Sequence, residues 1–248
     1  GKAHRLPFPR SDGVKPKDVL DVVSTDLFFV NPMSRGGHRG GIVFDDIGSG
    51  WTSLALFKRK NEAEGAYRVF EKRATVKHGR PIKVRRSDFG GEFTATTFLC
   101  HLNLKGTEAQ FTTPGNSEQN SVAERKNRTL LEMSRTMLLG AGMDEDFWGE
   151  ASFYAVFLRN IFPTSALPAG VVPWDLWMRG VKRPSLALCK PFGCEAYALL
   201  PKSRRRKGMW AKAVRCVFLG IETERKGFRL WEIERERVMF SRDVAFNE

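Results

Sequence analysis

The chain is 248 residues long, with 42% hydrophobic and 28% charged residues, a balance that supports a sizeable core and excludes a disordered or low-complexity chain. Its 41 Lys and Arg against 28 Asp and Glu leave a net charge of +13 and a pI near 9.9, which calls for a polyanionic partner. Every apolar stretch is broken by charge, Gly or Pro before it reaches membrane-spanning length, so nucleic acid is expected as that partner and a membrane is not.

In chain order, residues 1–17 are basic, Pro-bearing and without apolar periodicity, and read as a linker. The absence of Met at Gly1 and of a secretory pattern after it suggests a segment cut from a longer intracellular protein. Val19–Val30 is a dense β-branched and aromatic run, the pattern of a buried strand. Glycines at 36, 37, 40 and 41 turn the chain into a second strand through Asp45, and Gly48-Ser-Gly50 turns it into a third over Trp51–Phe57. Short Gly-rich connections predict an antiparallel meander.

The spacing then becomes helical: Ala63, Ala66, Tyr67, Phe70 and Ala74 predict an amphipathic helix over 62–77. A short strand follows Pro81, a helix runs over Thr94–Asn103, and another short strand over Gly106–Phe111. Pro114–Ser121 is polar and reads as a loop, Val122–Leu139 as a long helix stopped by Gly140, and Asp146–Ile161 as one more. Phe147, Trp148, Phe153, Tyr154 and Phe157 are expected to be packing residues. Beyond Pro173 the texture shifts: residues 171–248 hold 17 Lys or Arg and nine Asp or Glu. Strands over Cys194–Leu200, Ala213–Leu219, Gly227–Glu232 and Val238–Ser241 predict a small all-β barrel with Trp210, Phe228 and Trp231 in its core. The domains expected are a linker over 1–17, a catalytic core over 18–165, a connector over 166–187 and the small barrel over 188–248.

Cys100, Cys189, Cys194 and Cys216 form no Cys-x-x-Cys pair, and His4, His38, His78 and His101 do not join them at finger spacing. Reduced thiols without a structural zinc are expected.

Three acids carry the chemistry: Asp26 inside an apolar run, Asp88 in Arg-Ser-Asp-Phe-Gly-Gly-Glu-Phe, and Glu124 in Asn-Ser-Val-Ala-Glu-Arg-Lys-Asn-Arg-Thr. The element order β-β-β-α-β-α-β-α lets two strand acids and one on the first turn of a following helix meet at one rim. Three carboxylates there can hold two divalent cations, the arrangement used for in-line phosphoryl transfer. Each acid also has a plainer reading. Asp88 before two glycines suits a turn, Glu92 competes with it, and Glu124 with Arg128 four residues on suits a solvated pair. Asp45 and Asp46 follow an apolar strand as Asp26 does, and pattern alone does not choose among the three.

Ser24-Thr-Asp-Leu, Arg86-Ser-Asp-Phe-Gly-Gly-Glu-Phe and Gln119-Asn-Ser-Val-Ala-Glu-Arg-Lys-Asn-Arg-Thr resemble the integrase of copia-type LTR retrotransposons, and the resemblance runs the length of the chain. It implies an α/β fold: a ribonuclease-H-like mixed five-stranded sheet with flanking helices, followed by a small all-β SH3-like barrel. It implies a metal-binding D,D-35-E set matched by Asp26, Asp88 and Glu124, so that Asp26 is selected over Asp45 and Asp46. Two Mg2+ or Mn2+ ions, 3′-end processing and strand transfer of element DNA, action in the nucleus after a cytoplasmic particle stage, and a homo-oligomer on double-stranded DNA are implied with it. The chain departs from the family pattern at Phe89, where Asn is usual, at Ser121, where Gly is usual, and at Phe28-Phe-Val-Asn-Pro after the first motif.

Arg125, Lys126, Asn127 and Arg128 beside Glu124, and Arg204, Arg205, Arg206 and Lys207 in the densest basic run, are the expected DNA contacts. Two other readings stay open: a plain metal-dependent nuclease on the same carboxylates, and an inactive or domesticated DNA-binding or assembly module.

Overall fold

The computed structural model describes Pro16 and residues 18–88, 95–111, 117–200, 212–223 and 227–247, with the backbone alone for 117–124. The first sheet is built from β1 (Val22–Phe29), β2 (Gly40–Asp46), β3 (Thr52–Phe57), β4 (Val84–Ser87) and β5 (Glu108–Phe111) in the order β3-β2-β1-β4-β5. The first three strands form the antiparallel meander, whereas β4 and β5 add to β1 in parallel. A parallel addition needs a crossover, and α1 (Ala63–His78) and α2 (Thr96–Leu104) supply it.

Two helical layers cover the sheet, and strand alternation decides which side chains meet each. Val23, Ile42 and Phe44 pack with Tyr67 and Phe70 of α1 and Phe98 and Leu102 of α2. Phe28 and Val43, of the opposite parity, pack with Leu130 of α3 (Ser117–Ala141) and with Trp148, Tyr154 and Phe157 of α4 (Trp148–Ile161). Arg85 of β4 is fully buried on the α1 side, lying over the rings of Tyr67 and Phe98 at 5.4 and 5.0 Å and donating to Thr25 Oγ1 at 2.6 Å. It braces the β1–β4 pair from behind.

Several elements differ from the sequence reading. β1 starts at Val22 and not at Val19, because Leu20 adopts φ 67° and gives its N–H to Asp46 Oδ1 at 2.7 Å, which makes Val19 and Leu20 part of a buried turn. Residues 117–121 are helical, so α3 begins earlier than expected and Glu124 stands about two turns in, not in its first turn. Polarity there does not break the helix. The connector also holds a helix, α5 (Pro173–Trp177), whose Trp177 stacks on Trp51 at 5.5 Å and 4°.

The second sheet is antiparallel throughout, with β6 (Glu195–Leu199), β7 (Ala213–Glu222), β8 (Gly227–Glu232), β9 (Arg237–Ser241) and β10 (Val244–Asn247) in the order β10-β6-β7-β8-β9. β10 is an extra strand that the sequence pattern did not separate. Phe246 of β10 meets Phe228 of β8 at 4.9 Å between ring centroids, although strands three places apart in a flat sheet lie roughly 14 Å away. The sheet is therefore curled, as in a small barrel.

This sheet shares a core with the first. Tyr154 packs edge-on to Phe218 at 5.2 Å, and its hydroxyl donates to the Lys190 carbonyl at 2.8 Å. Gly220, at φ 146° beside a register shift in β7, lets that ring approach: a Cβ there would stand 3.3 Å from Tyr154 Cδ2. Arg229 of β8 forms an ion pair with Glu150 of α4. Trp231 is not barrel interior as expected. It meets Phe147 edge-on at 5.1 Å, and the Arg35 guanidinium lies over both rings. Phe228 does pack inside, and Phe153 is 38% exposed in contrast to its buried neighbours on α4.

Candidate active site

β1 and β4 run side by side with Ser24 level with Arg86. Continuing that parallel register by two residues sets Asp26 level with Asp88, on strands about 4.8 Å apart and with the same parity. Asp26 is half-buried in β1, and Asp88 is exposed one residue beyond the end of β4. The parity that both share with Phe28 and Val43 puts them on the face covered by α3 and α4.

The Asp26 carboxylate accepts from the Leu27 N–H at Oδ1, 2.9 Å away, and from Asn127 Nδ2 at Oδ2, 2.7 Å away. At Asp88 the backbone carbonyl accepts from Ser87 Oγ at 2.9 Å. The backbone of position 124 stands three residues before Asn127 on α3, close to one helical turn. The Glu124 side chain, Phe89, Glu92 and the side chain of Ser121 lie outside the described residues. Among those described, no three His, Cys, Asp or Glu side chains gather at one point.

The rival acids of β2 are occupied. Asp46 is buried on the α1 face, where it accepts from the N–H of Leu20 at 2.7 Å and from the N–H and hydroxyl of Ser49 at 2.8 and 2.5 Å. Burial raises its pKa above the ordinary carboxylate value, against the opposing pull of these bonds. Asp45 faces α3, where it pairs with Lys126 Nζ at 3.2 Å and accepts from Thr52 Oγ1 at 2.6 Å.

Two of the expected DNA contacts make internal contacts in this fold. Lys126 is turned inward to Asp45, with its side chain 18% exposed. Asn127 is 6% exposed and spends its amide on Asp26. Arg125 and Arg128 are exposed as a phosphate contact requires, and Arg128 has Glu132 within 3.9 Å. Arg204, Arg205, Arg206 and Lys207 lie outside the described residues.

Residues 194–248 match the family described as the retroviral polymerase SH3-like domain. Along its whole length the chain is 36% identical to the retrovirus-related Pol polyprotein from transposon TNT 1-94 of Nicotiana tabacum. It is 28% identical to the one from transposon RE2 of Arabidopsis thaliana, again over its whole length. The chain is homologous to the Pol polyproteins of copia-type transposons. It spans 18% and 16% of those two polyproteins. In fold it is similar to a chain of the simian T-cell lymphotropic virus intasome solved by cryo-EM with the PP2A regulatory subunit B56 gamma. The TM-score is 0.56 at 16% identity, covering 98% of this chain and 82% of that one. The architecture is thus integrase-like: a ribonuclease-H-like mixed sheet with flanking helices, then an SH3-like all-β unit.

Within this Pol-type segment, sequence reasoning missed the buried Lys126–Asp45 pair and the contact of Asn127 with Asp26. A signal for the first exists in the pairing rule. Asp26 stands opposite Val43 in the β1–β2 register, so Asp45 two residues on must share its face while Asp46 cannot. No helix among the described residues is long and apolar enough to cross a membrane.

Proposed function

We propose that this chain is the catalytic core and SH3-like domain of a retrotransposon integrase, acting in the nucleus on the ends of element DNA and on target DNA. The parallel register that brings Asp88 level with Asp26, beneath the helix carrying position 124, is the observation that supports it most. The assignment of residues 18–165 to the catalytic core, 166–187 to a connector and 188–248 to the SH3-like domain belongs to the same reading.

Asp26, Asp88 and Glu124 form an all-carboxylate donor set, which suits hard cations and not zinc. Two Mg2+ or Mn2+ ions held by these carboxylates would supply Lewis-acid activation of the attacking oxygen and charge neutralisation at the phosphate. The protein's share is placement. The Leu27 N–H and Asn127 hold Asp26, and the exposed Arg125 and Arg128 offer phosphate contacts on the same helix. Water attacks a phosphodiester near the element end and leaves a 3′-hydroxyl. That hydroxyl then attacks a target phosphodiester and displaces its 3′ oxygen, without a covalent protein intermediate. Joining two ends to one target requires more than one site, so a homo-oligomer on DNA goes with the reading.

The test is strand transfer of a labelled DNA end in Mg2+ or Mn2+, comparing the native chain with Glu124→Gln. Joined products that vanish in the variant are the expected result. Cleavage without joining points to a nuclease. Inactivity of both with DNA binding intact points to a binding or assembly module.

A further inference from the structure

Two consecutive residues of α3 reach down to two neighbouring strands. Lys126 Nζ meets Asp45 Oδ1 on β2 at 3.2 Å, with the side chains only 18% and 4% exposed. Asn127 Nδ2 meets Asp26 Oδ2 on β1 at 2.7 Å. The β2 end is anchored further: Thr52 Oγ1 donates to the same Asp45 oxygen at 2.6 Å, and the Thr52 backbone is tied in both directions to the Asn160 amide of α4 at 2.9 and 2.8 Å. Arg159 of α4 donates to the Lys126 carbonyl at 3.4 Å.

Asn127 holds its place at a cost. Its Oδ1 is buried without a hydrogen-bond partner among the described residues, and a buried acceptor left unpaired is unfavourable. A side chain satisfying itself would not sit this way. Donation to a carboxylate is the stronger kind of hydrogen bond, and it orients the plane of Asp26.

We infer that Asn127, Lys126 and Asp45 are positioning residues: a two-point clamp from α3 onto β1 and β2 that orients the Asp26 carboxylate and fixes the rotation of α3. One contact alone would leave the helix free to roll about it, whereas two contacts on adjacent strands do not. Position 124 lies two and three residues from the clamp, so its place against Asp26 and Asp88 is set by it. The inference rests on reading these three acids as the metal-binding set. It also replaces the expected DNA role of Lys126 with an internal one.

The test uses the full chain and Mn2+ itself, counting free Mn2+ by electron paramagnetic resonance. Melting temperature and metal-free affinity for a DNA duplex are measured in parallel. Asn127→Ala and Lys126→Met each weaken Mn2+ binding by roughly 10-fold, the scale at which groups supporting metal ligands act, and leave metal-free DNA affinity unchanged. Asp45→Asn, combined with Lys126→Met, removes the stranded charge, keeps the acceptor for Thr52, and recovers most of the Mn2+ affinity. A Lys126→Met chain that loses DNA affinity, with no recovery from Asp45→Asn, makes Lys126 a DNA contact and overturns the clamp. If the native chain binds no Mn2+, the metal reading falls and the clamp is judged separately by hydrogen exchange of amides 126–130. Exchange quickened by either single change and slowed again in the pair sustains it. Additive effects overturn it.

Discussion

Asp45 and Asp46 are adjacent, both buried, and face opposite sides of the mixed sheet. On the α1 side, Asp46 takes its donors from two turns, the Leu20 N–H from the one before β1 and the Ser49 N–H and hydroxyl from its own, and is consumed by the fold. On the α3 side, Asp45 takes a cation from a helix, while Asp26 beside it takes an amide from the same helix. Burying a carboxylate demands donors on either face. When the donors come from backbone turns the result is a structural plug, and when they come from a helix over the sheet they become a means of aiming the acid. The α1 face also carries an aromatic cluster, with Phe44 stacked on Phe70 at 4.4 Å and Trp177 stacked on Trp51.

That contrast predicts stability losses on one face and activity losses on the other. The largest effect is expected for Trp177→Ala, which empties a site 5% exposed among Trp51, Phe70 and His78. It should cost about 3–5 kcal/mol of folding stability in denaturant titration, with DNA joining retained by the fraction still folded. Asp26→Asn on the other face should reduce metal-dependent joining by about 100-fold or more, the scale of losing a key electrostatic group at a reacting phosphate. Its melting temperature should stay near that of the native chain. A large drop in stability there would erase the distinction between the faces.

Asp46→Ala should cost about 2 kcal/mol, since it strands buried donors at Leu20 and Ser49. Joining by the folded protein should persist, and joining lost in a fully folded Asp46→Ala chain would return Asp46 to the candidate site. The smallest effect concerns Asp21, at the edge of the α1 side. The Lys83 ammonium, assisted by the Asp18 N–H and by Arg80, lowers its pKa to about 2 from 3.8. A depressed carboxylate stabilises the fold above its unfolded pKa, and that contribution fades as the pH falls from 3.8 towards 2. Lys83 is 61% exposed, so screening keeps the effect below about 1 kcal/mol at neutral pH. Asp21→Asn should lower the melting temperature slightly at pH 6 and not at all near pH 2.

Much of the fold was legible because apolar periodicity is a local property. The meander, the helix over 62–77 and the first strands of the barrel were all placed by spacing alone, with ends shifted by a few residues. The misplaced ends have physical causes: Leu20 is bent by a bond to Asp46, and a polar helix start resembles a loop. Trp231 was assigned to the barrel core because an aromatic in a strand must be covered by something, and periodicity does not say by what. Its cover is Phe147, just before α4, and Arg35, between β1 and β2.

For the candidate site, the residue pattern marked Asp88, Glu124 and the basic helix around Glu124 but left Asp26, Asp45 and Asp46 as rivals, and the family resemblance chose Asp26 among them. The sequence by itself also determined the fold class, since residue type and alternation are enough for that. Only the tertiary structure decided which way Lys126 and Asn127 point. It alone separated Asp45 from Asp46 by side, and it set Asp88 level with Asp26. The reason is distance along the chain: Asn127 and Asp26 are 101 residues apart, and no local pattern fixes the register between segments that far removed. Strand pairing fixes it, and pairing is settled by how both faces of the sheet are buried at once.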